Sequence, residues 1–291
     1  MGRDGAAGWM RIDLHTHSTA SDGTQAPAEV VASAREAGVD VLALTDHDTT
    51  QGWAPAADAA TRLGVALVRG IEVSCSDHGR SVHLLGYLPD PDHPALAAEL
   101  RRARESRVGR LRRIVELMAA DGLPVTYAQV QAQVPPGATE GRPHIADALV
   151  ASGTVATRDE AFRRWLGNDS PYYVRHYAPD PVHAVELVLE AGGVPVYAHP
   201  FGRDLSTTAT DRRIEAMAAA GLAGLEVHHR DHDADAVARG LALAERLSLL
   251  VTGSSDYHGA GKENRLGEHT TDPAVLAEIE ARSSGVVPVL R

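Results

Sequence analysis

The sequence predicts an α/β fold in which at least six strands, most of them parallel, share one barrel or one sheet. Two stretches that alternate short apolar runs with helical periods carry this prediction, one from Met10 to about Tyr87 and one from about Pro181 to Ser254. A length of 291 residues leaves room for a substantial core and for an insertion within it. A strand, a helix and a further strand in sequence make a crossover unit, and crossover units pair their strands in parallel.

In chain order, Arg11 to His15 reads as the first strand, followed by a helix opened near Pro27 and closed at Gly38. Val39 to Thr45, Ala66 to Ser74 and Val82 to Tyr87 supply three more strands. The rhythm then stops. From Pro94 to Ser170 the periodicity is helical, with turn signals at Asp121-Gly122-Leu123-Pro124 and Pro135-Pro136-Gly137. Residues 94–170 are therefore expected as a helical insertion domain between the two parts of the α/β domain, 10–93 and 171–291. Within it, Arg101 to Arg113 carries seven arginines interleaved with Leu100, Val108, Leu111 and Ile114, which reads as a solvated helix with one buried face, the alternative being a nucleotide-guiding role. The strand rhythm resumes with a helix from about Pro181 to Ala191, strand Val194 to His199, helix Asp211 to Ala220, strand Gly224 to His228, helix Asp233 to Arg246 and strand Leu249 to Ser254. Residues 1–9 read as a loose leader, and Met10 could serve as the functional start.

Composition excludes several classes. A formal charge of -11 argues against a broad basic surface for long nucleic acid, and 4% aromatic residues argue against a groove built on base stacking. Cys75 is the only cysteine, so there is no intrachain disulfide and no thiolate cluster, which fits a reducing cytoplasm. The longest apolar runs are too short to span a bilayer, and no secretory segment follows Met1. A cytoplasmic protein is expected.

The most informative residues sit at predicted strand ends. Asp13-Leu14-His15-Thr16-His17 ends the first strand, and two histidines two apart on extended chain point to one face. Asp46-His47 ends the second, Glu72 lies late in the third, His83 opens the next, His199-Pro200 ends the fifth, His228 the sixth and Asp256-Tyr257-His258 the seventh. Each alone could be a capping or hydrogen-bonded loop residue. Together they aim imidazoles and carboxylates at one mouth, the pattern of a metal site, and that donor set suits Mn, Fe or Zn better than Ca or Mg alone.

These motifs, with Asp22-Gly23 and Gly141-Arg142-Pro143-His144, resemble the PHP (polymerase and histidinol phosphatase) family of metal-dependent phosphoesterases from Met10 to about Gly267. The resemblance implies a distorted (β/α)7 barrel with two or three divalent metal ions at its C-terminal mouth. It implies His15, His17, Glu72 and Asp256 around the first ion, Glu72, His83 and His199 around the second, and Asp22, His47 and His258 around the third. Many members carry a histidine where this chain has Asp22, so the third site is the more oxygen-rich one. Asp22 and the 141–144 segment are closest to the subgroup acting on nucleoside 3',5'-bisphosphates and on 5' ends of short RNA.

That resemblance implies a phosphatase removing the 3'-phosphate of nucleoside 3',5'-bisphosphates with metal-activated hydroxide. Arg142 would grip phosphate bidentately, and His144 and His228 would contact phosphate or protonate the leaving oxygen. A 5'-3' exoribonuclease on short RNA is the nearest alternative. A histidinol-phosphate phosphatase, an amidohydrolase and a non-catalytic metal-binding PHP module are the others. Asp13, Asp48, Ser74 and Ser254 are expected to orient ligands, Cys75 to be packing, and Arg203 to lie at the mouth or on the surface. His229, His232 and His269 are expected in solvated loops.

Overall fold

The computed structural model describes residues 10–202 and 207–291. The 1–9 leader and Arg203 lie outside the described residues. In chain order the elements are β1 (Ile12–Asp13), α1 (Pro27–Glu36), β2 (Val41–Leu44), α2 (Trp53–Leu63), β3 (Ala66–Asp77), β4 (Arg80–Tyr87) and α3 (Pro94–Ala120). There follow α4 (Tyr127–Gln131), α5 (Arg142–Ala151), α6 (Arg158–Ala161) with a π-helical turn over Phe162–Leu166, and α7 (Pro181–Glu190). The chain ends with β5 (Val194–Tyr197), α8 (Thr207–Ala219), β6 (Gly224–His228), α9 (Ala234–Leu247), β7 (Leu250–Gly253) and α10 (Pro273–Arg282).

The seven strands form one sheet in chain order. A bridge between Thr16 and Tyr257 joins the segments after β1 and β7, so the sheet curls into a nearly closed barrel. Four strand pairs are parallel, but β4 runs antiparallel to both β3 and β5. This reversal explains why His83, early in its strand, can join residues late in theirs: it pairs with Ser74, two residues beyond Glu72.

The reversal also sets the course of the helical region. β4 ends with Tyr87 beside Gly70, at the opposite end from the mouth. The 27 residues of α3, about 40 Å long at ~1.5 Å per residue, carry the chain back, so that Arg104 and Arg107 reach Asp48 beside His47. Leu111, Ile114, Val115 and Met118 of α3 pack with Val130, Ile145 and Leu149 in a cluster of their own. A separate cluster of Ile12, Val68, Leu84, Val196 and Leu225 fills the barrel.

Helix starts follow side-chain chemistry. Asp180, Asp233 and Asp272 each accept a backbone N–H from the first turn of α7, α9 and α10. Two helices go beyond the sequence expectation. α2 forms where Trp53 can donate its indole N–H to the Gly70 carbonyl at 2.8 Å, a tertiary contact that periodicity does not reveal. α10 opens on Asp272-Pro273, a legible start signal that carries no ligand. Among the described residues no helix is long and apolar enough to cross a membrane.

Candidate metal centre

Glu72 is the hub of the mouth. Its side chain is 1% exposed, and five imidazoles surround its two oxygens. Oε1 faces His83 Nδ1 at 2.8 Å and His199 Nε2 at 3.2 Å. Oε2 faces His17 Nε2 at 3.0 Å, with His15 Nε2 and His47 Nδ1 each at 3.2 Å. Asp256 Oδ1 stands 3.5 Å from His15 Nε2 and 3.4 Å from both His17 Nε2 and His258 Nδ1. Asp22 Oδ1 lies 3.3 Å from His258 Nε2, and Asp22 Oδ2 lies 3.8 Å from His47 Nε2.

The structure therefore brings together His15, His17, Asp22, His47, Glu72, His83, His199, Asp256 and His258. Donor atoms fall into overlapping groups, each within 4.8 Å of one another: His15, His17, Glu72 and Asp256; His17, Asp22, His47 and His258; His47, Glu72 and His83; and His15, His199 and Glu226. Several of these nitrogens, His47 Nδ1, His83 Nδ1 and His258 Nε2, are buried without a hydrogen-bond partner. Buried polar atoms are normally partnered, and lone imidazole nitrogens converging on carboxylates fit divalent cations of the Mn, Fe or Zn type.

Backbone and neighbouring side chains hold these ligands in place. His199 and Asp256 have positive φ of 28° and 52°, a conformation that costs about 1–3 kcal/mol in a non-glycine residue and is retained where the surroundings impose it. Gly23 is required because a Cβ there would meet the His17 carbonyl oxygen at 2.5 Å. Asp46, adjacent to His47, is no ligand: its oxygens accept from the Ser18 N–H, the Ser18 hydroxyl and the Ser21 hydroxyl, and so clamp the loop after His17. Asp13 accepts the N–H groups of Ser255 and Gly267. Asp48 accepts the Ser74 N–H at 2.8 Å and pairs with Arg107 at 2.9 Å.

Glu226 is the residue the motif reading misses. Fully buried, it accepts from His15 Nδ1 at 2.9 Å, from the His199 N–H at 2.8 Å and from the Ser254 hydroxyl. By fixing Nδ1 it leaves His15 Nε2 to face Glu72, the usual way a ligand histidine is oriented. The signal was present: Gly224-Leu225-Glu226-Val227 repeats the pattern of Gly70-Ile71-Glu72-Val73, a carboxylate inside a buried apolar strand.

His228 and His229 are placed differently. A β-bulge between Glu226 and His228 resets the strand's alternation, and His228 is absent from the converging groups. His229 instead is 2% exposed, with its ring 5.2 Å from that of His199 and Nε2 3.7 Å from Asp256 Oδ2. His232 is likewise buried, its Nδ1 bonded to the Val227 carbonyl, so neither is in a solvated loop. His269 is half-buried.

The arginine-rich helix requires a correction. Arg107 and Arg110 are 8% and 6% exposed, whereas Val108 is exposed. Arg110 Nε donates to the Val174 carbonyl, and Arg142 Nη1 donates to the Leu166 carbonyl and to Asn168 Oδ1. Among the described residues neither Arg110 nor Arg142 forms an ion pair. Burial and the nearby Arg142 charge lower the Arg110 guanidinium to about 9. Burial, with Arg107, Arg110 and Arg142 close by, lowers His176 to about 3, and its Nε2 is buried without a partner. Arg142, His83, His199 and Asn168 share a recess of about 210 Å³. His144 is 2% exposed, and its Nδ1 lies 3.1 Å from the Gly141 nitrogen and 3.3 Å from the Gly141 carbonyl oxygen. The main cleft, of about 890 Å³, has Asp22, Arg158, His199, Asp256, His258 and Lys262 among its walls.

The electrostatics make ion binding pH-dependent. Burial opposes charge on His15, yet Glu226, Glu72 and Asp256 hold its pKa well above the ordinary histidine value. Burial would lower His17 too, but Asp256 and Glu72 outweigh it and push the pKa up to about 9. In the metal-free fold, protonated His17 contributes stability fully below pH 6.5, and that contribution is lost as pH rises through about 9. A metal ion needs the same lone pair, so ion affinity moves the other way. Manganese affinity is expected to rise across this window by roughly tenfold per pH unit for each proton displaced, with proton release visible as buffer-dependent heat in calorimetry. Equal affinity at both ends of the window would remove His17 from the ligand set.

The family model described as PHP domain matches residues 13–127. A 3',5'-nucleoside bisphosphate phosphatase from Chromobacterium violaceum is 37% identical over 276 residues, covering 93% of this chain and 97% of that protein. A 5'-3' exoribonuclease from Haemophilus influenzae is 34% identical over 248 residues, covering 85% of this chain and 90% of that one. A crystal structure from Bifidobacterium adolescentis, assigned as a metal-dependent phosphoesterase, superposes with a TM-score of 0.90 at 40% identity and covers 96% of this chain and 98% of its own.

Proposed function

Since the chain belongs to the PHP family of metal-dependent phosphoesterases, we propose that it removes the 3'-phosphate from nucleoside 3',5'-bisphosphates. Two or three divalent ions, manganese foremost, would be held by His15, His17, Asp22, His47, Glu72, His83, His199, Asp256 and His258, and the enzyme would act in the cytoplasm. Ions bound there supply charge neutralisation for phosphoryl oxygens and acidify a water near neutral pH.

The observation that carries the substrate reading is a pair of guanidinium groups, Arg110 buried and Arg142 half-buried, that have carbonyl partners and no carboxylate. Both guanidinium groups lie near the Tyr173 ring, at 5.3 and 5.5 Å from its centroid, and two neighbouring cations without a carboxylate favour an anion in the recess that Arg142 lines. A substrate with one reacting phosphate at the metal ligands and a second, unreacting phosphate at these arginines satisfies both places. Arg142, braced by Leu166 and Asn168, presents a planar fork suited to phosphate that a lysine would not reproduce. His144 would contact phosphate or protonate the leaving oxygen. His228 would serve the same role, and His229 is buried beside Asp256.

Phosphate release by the manganese-loaded enzyme, compared for adenosine 3',5'-bisphosphate, adenosine 3'-monophosphate, AMP, histidinol phosphate and a 5'-phosphorylated trinucleotide, tests the proposal. The bisphosphate is expected to exceed adenosine 3'-monophosphate, which has the reacting phosphate but not the second one, in kcat/KM by roughly a hundredfold, the value of a charged contact of ~3 kcal/mol, while AMP, the product of the proposed reaction, serves as the control. Equal turnover of either monophosphate and the bisphosphate counts against it. The second reading, a 5'-3' exoribonuclease, draws on the Haemophilus influenzae relative and on the volume of the main cleft, and preferred mononucleotide release from the trinucleotide would establish it instead.

A further inference from the structure

Lys262 follows the single 3-10 turn Gly259–Gly261, immediately after the ligand His258. Its side chain is 42% exposed, and Nζ meets Asp256 Oδ2 at 2.6 Å. The two oxygens of Asp256 are thereby divided: Oδ1 faces His15, His17 and His258, and Oδ2 faces Lys262, with His229 Nε2 at 3.7 Å on the same oxygen. A lone cation against a metal-ligand carboxylate would be a liability if it served only to neutralise it, because it would compete with the ion. An ammonium has three donors, however, and Asp256 uses one. Lys262 lines the main cleft together with Asp22, His199, Asp256 and His258, so its other donors can be presented to a group resting on the metal ligands.

We propose that Lys262 is a phosphate-binding residue: one N–H holds Asp256 Oδ2 so that Oδ1 stays directed at the ligand cluster, and the others bind a non-bridging oxygen of the reacting phosphate. This rests on the phosphoester reading of the site. It adds a contact at the reacting phosphate, separate from the arginines assigned to the unreacting one.

The test is Lys262→Met in the manganese-loaded protein, with inorganic phosphate as the probe. Manganese stoichiometry is expected to stay at the wild-type value, while phosphate affinity falls roughly ten- to a hundredfold, the range for one charge-assisted hydrogen bond. Lys262→Arg is expected to recover part of that affinity. Unchanged phosphate affinity in Lys262→Met overturns the proposal. So does a loss of phosphate affinity that tracks a loss of manganese, since Lys262 would then act only by supporting Asp256. Inorganic phosphate is the product of any phosphomonoesterase, so this result is independent of whether the bisphosphate is the preferred substrate.

Discussion

Replacing Glu72 with glutamine is expected to lower turnover by roughly a thousandfold or more, ~4 kcal/mol of transition-state stabilisation, and to cost about one bound ion or more per chain. The amide keeps the shape but not the charge. Five imidazole nitrogens lie within 3.2 Å of the two carboxylate oxygens. An amide would turn a donor toward one side of that ring and would give only a neutral oxygen to the other. Burial opposes ionisation of Glu72, yet His47, His83 and His15 hold its pKa well below the ordinary glutamate value, so the carboxylate is charged wherever the enzyme works. Elemental analysis of the purified variant, with phosphate release on the same sample, gives the result. Full ion content with near wild-type turnover would remove Glu72 from the centre of the ligand set.

The largest effect on stability is expected from Arg107→Ala. Asp48 is fully buried, and Arg107 meets it through Nε at 3.0 Å and Nη2 at 2.9 Å. Truncation leaves a buried carboxylate with its N–H contact from Ser74 but without its guanidinium, and removing one member of a buried pair costs about 3–5 kcal/mol. The same arginine also donates to the Ser74 hydroxyl, and Asp48 directly follows the ligand His47. Denaturant unfolding of the metal-free protein should show a lower midpoint with an unchanged slope. A shift below ~1 kcal/mol would mean that Asp48 finds another partner.

Residues whose role depends on strand direction were readable from sequence, and those whose role depends on packing between distant elements were not. His15, His17, Glu72 and His258 were legible because alternating or strand-end placement fixes where such side chains face. His228 ends its strand where the sequence puts it, but the register shift before it, invisible in a hydropathy pattern, and the burial of His229 beside it were not readable. Glu226 looked like an ordinary strand residue, although its resemblance to the Glu72 strand was there to be read. Arg107 and Arg110 were taken for solvated charges because arginines usually are; their burial depends on α3 crossing the mouth, which in turn depends on β4 running backwards. The nearly closed seven-stranded barrel itself followed from the crossover rhythm together with the family motifs.

Closure of the barrel also sets when the site can exist during synthesis. Asp13 is tied to Ser255 across 242 residues and to Gly267 across 254, and the converging ligands extend from His15 to His258. At roughly 5–20 residues per second, the first histidines leave the ribosome ten to fifty seconds before their partners. During that interval His15 and His17 have no Asp256, no His258 and no closed wall around them. The nascent chain thus offers a metal ion only a few loose nitrogens, and the full donor set arises in one late, long-range step that pairs the two ends of the sheet.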